Sequence, residues 1–131
     1  MSRSEKSLRS PLGKVRGLGS AKKGVAHWLM LRMTALALIP LTLYVLVGFF
    51  NGISGGYSGA VSWLQSPMSA TATIFLVLAG AYHAAAGLRE VIEDYIHCHA
   101  VKFAAIFAVN FIAAAAAILG TLSVAKIFFG V

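Results

Sequence analysis

One long stretch of this chain, from Met33 to Leu88, contains no Asp, Glu, Lys or Arg. It is too long for one buried helix of a soluble domain, and long enough for two helical crossings of a bilayer joined by a turn. A further uncharged run extends from Phe103 to Ala125. The sequence therefore predicts an all-α membrane protein with three transmembrane helices, at about residues 29–50, 70–88 and 103–129.

Most of the positive charge lies at the N-terminus. The formal net charge is +7, and eight of the 11 Lys and Arg residues lie within residues 1–32, beside a single acid, Glu5. Such a charge can indicate nucleic-acid binding. Because it is confined to one end, next to a span, it indicates membrane topology instead, and we expect no nucleic-acid partner.

This charge distribution divides the chain into two parts. We expect residues 1–23 to form a basic, flexible cytoplasmic tail and residues 24–131 to form a three-helix membrane domain. The tail is also rich in Ser and poor in acids, a composition that resembles a mitochondrial transit peptide and keeps that alternative open.

The two connections between spans differ in composition. Asn51–Ser69 is uncharged and Gly-rich, with Tyr57 and Trp63, so we expect a loop with interfacial aromatic residues. Arg89–Lys102 is charged and is predicted to face the cytoplasm, on the same side as the N-terminus, which leaves the C-terminus on the opposite side.

Small residues recur in the second and third spans at spacings of four. Gly80 with Ala84, and Ala116 with Gly120, permit close approach of helix backbones or of a flat ligand. Three helices bury few such surfaces by themselves. We therefore expect a partner subunit.

His83 is the only Asp, Glu, Lys, Arg or His side chain deep within a predicted span. Ionisable groups in a membrane are costly and usually functional. His83 is interpreted either as a hydrogen-bonding residue between helices or as an axial haem ligand, with the small residues Ala84–Gly87 leaving room for a porphyrin. No second residue of the chain fits as the other axial ligand, so a haem here would require one from another polypeptide.

Asp94 and Tyr95 follow His83 by eleven and twelve residues. If the helix continues, Asp94 lies on the His83 face, roughly 16 Å along the axis and near the membrane surface. Such a pair can hydrogen-bond and protonate a quinone; the alternative is an aromatic-belt tyrosine beside a solvated acid. Arg89 and Glu93 have the i, i+4 spacing of an ion pair.

Two further groups carry candidate chemistry. Arg32, about one turn inside the first span, is predicted to bind either a lipid phosphate or a haem propionate. His97, Cys98 and His99 each have a side-chain atom that can bind a metal. The run lacks the second ligand cluster of a zinc site, so we expect a solvated loop.

The segment His83–Tyr95 has a histidine, a glycine four residues later, and Asp-Tyr seven residues after that glycine. This pattern resembles the hydrophobic membrane anchor subunit of succinate dehydrogenase. The segment Gly24–Ala35, with His27, Arg32 and Thr34, is similar to that family's entry into its first span. The resemblance covers roughly residues 20–131. The long basic tail departs from shorter family members.

The resemblance implies a role for each candidate residue. His83 would supply one axial ligand to haem b, and Arg32 would lie near its propionates. Tyr95 would hydrogen-bond ubiquinone, with Asp94 shaping or protonating that site. The implied partners are a larger cytochrome b-type subunit, which supplies the other axial ligand, an iron–sulfur subunit with its clusters, and a flavoprotein subunit with FAD.

We therefore expect a lipid-embedded anchor in a bacterial inner membrane, rather than a mitochondrial one, that contributes no residue to succinate oxidation. Two alternatives stay open. One is the anchor of another quinone-linked enzyme such as fumarate reductase. The other is a non-redox scaffold or transporter module, in which His83 only packs.

Overall fold

The computed structural model describes Leu12 and residues 22–130, and nearly all of the second range is helical. The helices are α1 (Lys22–Ile53), α2 (Gly56–Leu64), α3 (Pro67–Tyr95) and α4 (His99–Phe129). Three of them, α1, α3 and α4, are long and apolar enough to cross a membrane. The predicted all-α fold class is thus confirmed, and each long helix encloses one predicted span and extends beyond it.

The predicted tail falls almost entirely outside the described residues. Within residues 1–23, the structure describes Leu12, Lys22 and Lys23, and the two lysines begin α1 rather than ending a tail. The first helix is therefore longer at its N-terminal end than the predicted span, which starts near residue 29.

Helix α3 lies between the other two long helices. It contacts both α1 and α4, whereas α1 and α4 do not contact each other in the described part of the chain. Pairs of contacts fix α1 and α3 as antiparallel, with Leu38 of α1 beside Gly80 of α3, and Tyr44 beside Ser69.

The contact between α3 and α4 depends on small side chains. A Cβ placed on Gly120 would lie 2.8 Å from Val77 Cγ1, so the backbone of α4 approaches α3 where only glycine fits. The close helix approach predicted at Gly120 is therefore present.

The connection after α1 corrects a prediction. Within Asn51–Ser69, predicted as a loop, Gly56–Leu64 forms α2. Gly56, at φ +72°, provides the turn between the two helices. The Trp63 ring packs against Gly48. Its centre is 6.3 Å from the centre of the Tyr44 ring. Ala60, Val61 and Leu64 have the spacing of one face of a helix. The glycines around them are typical of a loop, and for this reason the helix was not predicted.

Helix α3 begins and ends differently. Ser66 caps its start, since the Ser69 N–H donates to Ser66 Oγ at 3.3 Å, and Pro67 occupies the first turn. The charged stretch predicted as a second loop is mostly helix, because α3 runs to Tyr95 and α4 starts at His99. Only residues 96–98 connect them.

Little of the described chain is buried. The buried apolar residues are Ala70, Ala72, Ala86 and Val124, whereas long apolar side chains such as Leu36 and Phe107 face outward. Such a surface requires lipid or other subunits around it. This agrees with the expectation that three helices bury few of their surfaces alone.

Candidate functional site

His83 lies on α3 at its contact with α1 and is half-buried. Its Nδ1 atom is 3.1 Å from Oγ1 of Thr34. Thr34 Oγ1 also lies 2.9 Å from the carbonyl oxygen of Met30 and 3.0 Å from that of Leu31. The only hydrogen bond of the His83 ring within the described residues is the one to Thr34, which leaves Nε2 without a partner there.

His83 therefore has the chemistry of a single metal ligand. Histidine ligands bind through one ring nitrogen while the other bonds a fixed group that orients the ring. Small side chains follow it, at Ala84, Ala85 and Ala86, and a Cβ built on Gly87 would meet nothing within 4 Å. Gly87 lies one turn after His83 on the same face of α3, so the backbone there leaves room beside the ring for a bound group.

No other metal site emerges in the part of the chain that the structure describes, since no three His, Cys, Asp or Glu residues cluster there. Cys98 is exposed in the short connection, and His99 begins α4. A metal centre would accordingly take one ligand from the described residues, and its remaining protein ligand from elsewhere.

Asp94 and Tyr95 are the last two residues of α3. The helix is continuous from His83 to Tyr95, so the condition for the predicted placement of Asp94 is met, and ideal helix geometry puts it on the His83 side, roughly 16 Å further along the axis. Both side chains are exposed, Tyr95 to 78%. The phenol and the carboxylate are thus open to a ligand or partner at this end of the bundle.

The start of α1, residues 89–95 and the start of α4 form one end of the bundle, here called the α3–α4 end. Charged side chains surround it. Arg89 Nε donates to Glu93 Oε1 at 2.8 Å, which confirms the predicted pair. Lys102 Nζ donates to the Glu93 carbonyl at 2.9 Å. In the described residues Asp94 makes no salt bridge, so its carboxylate is left for other contacts.

Sequence reasoning missed one contact at this end. His27 Nδ1 of α1 lies 3.7 Å from Glu90 Oε1 of α3, and both side chains are about half exposed. No local spacing predicts this pair, because it depends on the register between two helices far apart in sequence. The register itself follows from the contacts of Thr34 with His83 and of Leu38 with Gly80.

Arg32 is exposed on α1, with its guanidinium carbon 5.5 Å from the centre of the Trp28 ring. A cation over an indole face is attracted by the ring electrons. Arg32 lies two residues, about 3 Å along the axis, before Thr34. The structure brings it to the level of Thr34 but not into contact with His83.

Three spanning helices and one oriented histidine define a small helical membrane subunit with a single potential metal ligand at the α1–α3 contact. The family described as succinate dehydrogenase/fumarate reductase transmembrane subunit matches residues 6–117. The chain belongs to this family, and it is a multi-pass membrane anchor subunit of that class of complex.

Individual relatives agree with this assignment. The chain is 32% identical to the succinate dehydrogenase hydrophobic membrane anchor subunit of Rickettsia bellii, over 79% of this chain and 82% of that protein. It is 30% identical to the subunit of the same name from Paracoccus denitrificans, over 78% and 79%. It is 27% identical to the succinate dehydrogenase membrane anchor subunit of Reclinomonas americana, over 70% and 79%. No solved structure matches the chain.

Proposed function

We propose that this chain anchors a succinate:ubiquinone oxidoreductase in the membrane, holds haem b jointly with a larger cytochrome subunit, and helps to form the ubiquinone-reduction site. The observation that carries the proposal is the His83 ring, which is bonded through Nδ1 and free at Nε2 among the described residues. The rest of the complex would comprise an iron–sulfur subunit and a flavoprotein subunit.

His83 would bind the haem iron through Nε2. A bound haem b accepts and returns one electron at a time, with a potential set by its ligands and their hydrogen bonds. Thr34 is hydrogen-bonded to the ring, and Gly87, one turn further on the same face of α3, leaves open space beside it. The other protein ligand of the iron would come from the larger cytochrome subunit, because the described residues bring no second histidine near His83.

Arg32 would pair with a haem propionate. It is exposed and makes no hydrogen bond or salt bridge among the described residues, so its donors are available to an anion. It lies about 3 Å along the axis from Thr34 but about 200° around α1 from it, so the propionate would lie beside α1 rather than between α1 and α3. Lipid phosphate is the competing anion at this position.

Tyr95 and Asp94 would serve the quinone. The Tyr95 hydroxyl would donate a hydrogen bond to a quinone carbonyl oxygen, and Asp94 would shape the site or supply a proton to it. Their exposure at the α3–α4 end, with Asp94 unpaired among the described residues, supports this assignment. Other subunits would complete the site around them.

Succinate oxidation would take place in the flavoprotein subunit, and the iron–sulfur clusters would carry its electrons to the quinone. The α3–α4 end must then face those subunits on the cytoplasmic side of a bacterial inner membrane. The excess of Lys and Arg before α1 supports this orientation.

Purification of the native complex through a tag on this chain tests the proposal. We expect a flavoprotein, an iron–sulfur protein and a second cytochrome subunit to co-purify, with a b-type haem band in the reduced-minus-oxidised spectrum and succinate–ubiquinone activity. Purification without a flavoprotein, or without haem, would refute the proposal.

Fumarate reductase is the second candidate, because the matching family includes its transmembrane subunits. The same preparation separates the two activities. Faster succinate oxidation with ubiquinone than fumarate reduction with menaquinol supports the first assignment, and the reverse ratio supports the second.

A further inference from the structure

The hydroxyl of Thr34 has three oxygen or nitrogen neighbours within hydrogen-bond distance. They are the carbonyl oxygens of Met30 and Leu31, at 2.9 and 3.0 Å, and His83 Nδ1, at 3.1 Å. A hydroxyl carries one proton and two lone pairs. It can therefore donate to only one of these three neighbours.

The two carbonyl oxygens determine which neighbour accepts the hydroxyl proton of Thr34. Neither of them can donate, so a Thr34 proton aimed at His83 would leave three oxygens in close contact with no hydrogen between them. A proton aimed at Met30 or Leu31 avoids this, as threonines in helices commonly do by bonding to the preceding turn. A lone pair of Thr34 Oγ1 then faces His83, and the Nδ1–H of His83 donates to it.

We propose that Thr34 is a positioning residue that holds His83 in the Nδ1–H tautomer and so presents the Nε2 lone pair to the haem iron. The neutral imidazole has one protonated and one bare nitrogen, so a proton held at Nδ1 keeps Nε2 free for the metal. The inference rests on the proposed haem site and adds to it the residue that determines which nitrogen binds.

The hydrogen bond also tunes the ligand. Donation from Nδ1–H to Thr34 increases the electron density on the ring and makes Nε2 a better donor. A stronger donor stabilises ferric over ferrous iron. Loss of the Thr34 hydroxyl should therefore raise the midpoint potential of the haem and weaken its retention.

The test uses the native complex with Thr34→Val, which keeps the branched shape of threonine and removes the hydroxyl. Thr34→Ser restores the hydroxyl, and Thr42→Val removes another hydroxyl from the same helix, two turns away. The measurements are haem content per flavin, the midpoint potential from a redox titration, and the EPR g values of the ferric haem.

We expect Thr34→Val to raise the midpoint potential, shift the g values, and lower haem retention during detergent exchange by about tenfold. Thr34→Ser should restore all three quantities, and Thr42→Val should leave them at wild-type values. A haem in Thr34→Val with wild-type potential and g values would overturn the inference. Absence of haem from the wild type would instead refute the proposed function.

A second measurement does not depend on assembly of the valine variant. In the reduced complex with 15N-labelled histidine, the Nδ1 and Nδ1–H chemical shifts of His83 report whether that N–H donates a hydrogen bond. Shifts of a hydrogen-bonded N–H support the inference. Shifts of an N–H without an acceptor overturn it, whatever the variants show.

Discussion

The two sides of α3 are packed by different means. Toward α1, polar side chains meet along its length, with Tyr44 beside Ser69, Thr34 beside His83, and His27 beside Glu90. Toward α4, the contact within the apolar part includes Val77 packed against Gly120. No described side-chain hydrogen bond joins α3 to α4 there.

The two contacts of α3 therefore have different roles, one in packing and one in orienting a functional side chain. Small apolar contacts stabilise a helix pair by close packing and carry no reactive group. A polar contact within the bilayer is retained where it orients a functional group or satisfies a buried one. We infer that α4 supports α3 mechanically, whereas α1 fixes the orientation of His83 on it.

The largest stability effect should come from filling the α3–α4 contact. In Gly120→Ala the new Cβ would lie 2.8 Å from Val77 Cγ1, so the Val77 side chain or one of the two helices must shift. We expect a loss of about 1–3 kcal/mol, the usual cost of overpacking. A lower midpoint temperature for dissociation of the purified complex measures it.

Gly80→Ala is the matched control on the α1 side. Its Cβ would meet only Leu38 Cδ2, at 3.9 Å, which is ordinary contact. The variant should be neutral or stabilised by up to about 1 kcal/mol, because alanine is the better helix former. Equal losses in both variants would contradict the proposed difference between the two contacts.

The next effect concerns the end of α3. Tyr95→Phe should lower the rate of ubiquinone reduction roughly tenfold, the equivalent of one hydrogen bond of about 1.4 kcal/mol, and spare succinate oxidation with an artificial acceptor. Tyr57→Phe, which removes an exposed phenol at the start of α2, is the control. Wild-type quinone kinetics in Tyr95→Phe would remove this residue from the site.

The smallest effect is expected at His27 and Glu90. Their side chains are 44% and 55% exposed, and exposed ion pairs contribute about 0.2–1 kcal/mol. A double-mutant cycle of His27→Gln and Glu90→Gln, followed by thermal dissociation of the complex, should give a coupling within that range. A coupling above about 2 kcal/mol would show that other subunits enclose the pair.

The sequence was most informative where a signal is local. The charge-free run predicted the spans, and the i, i+4 spacing predicted the pair of Arg89 with Glu93. Helix α2 was missed because glycines around it are typical of loops, although its apolar residues have helical spacing. The contact of Thr34 with His83 joins positions 49 residues apart, so it required the register of α1 against α3.

Haem binding by His83 is the proposed property on which the other roles of the membrane domain depend. The most direct measurement is the haem-to-flavin ratio, from reduced-minus-oxidised spectra, of the purified complex with His83→Ala, beside wild type and the exposed control His99→Ala. We predict that the ratio falls more than about tenfold in His83→Ala and is unchanged in His99→Ala. A fully assembled His83→Ala complex with the wild-type ratio would contradict the account.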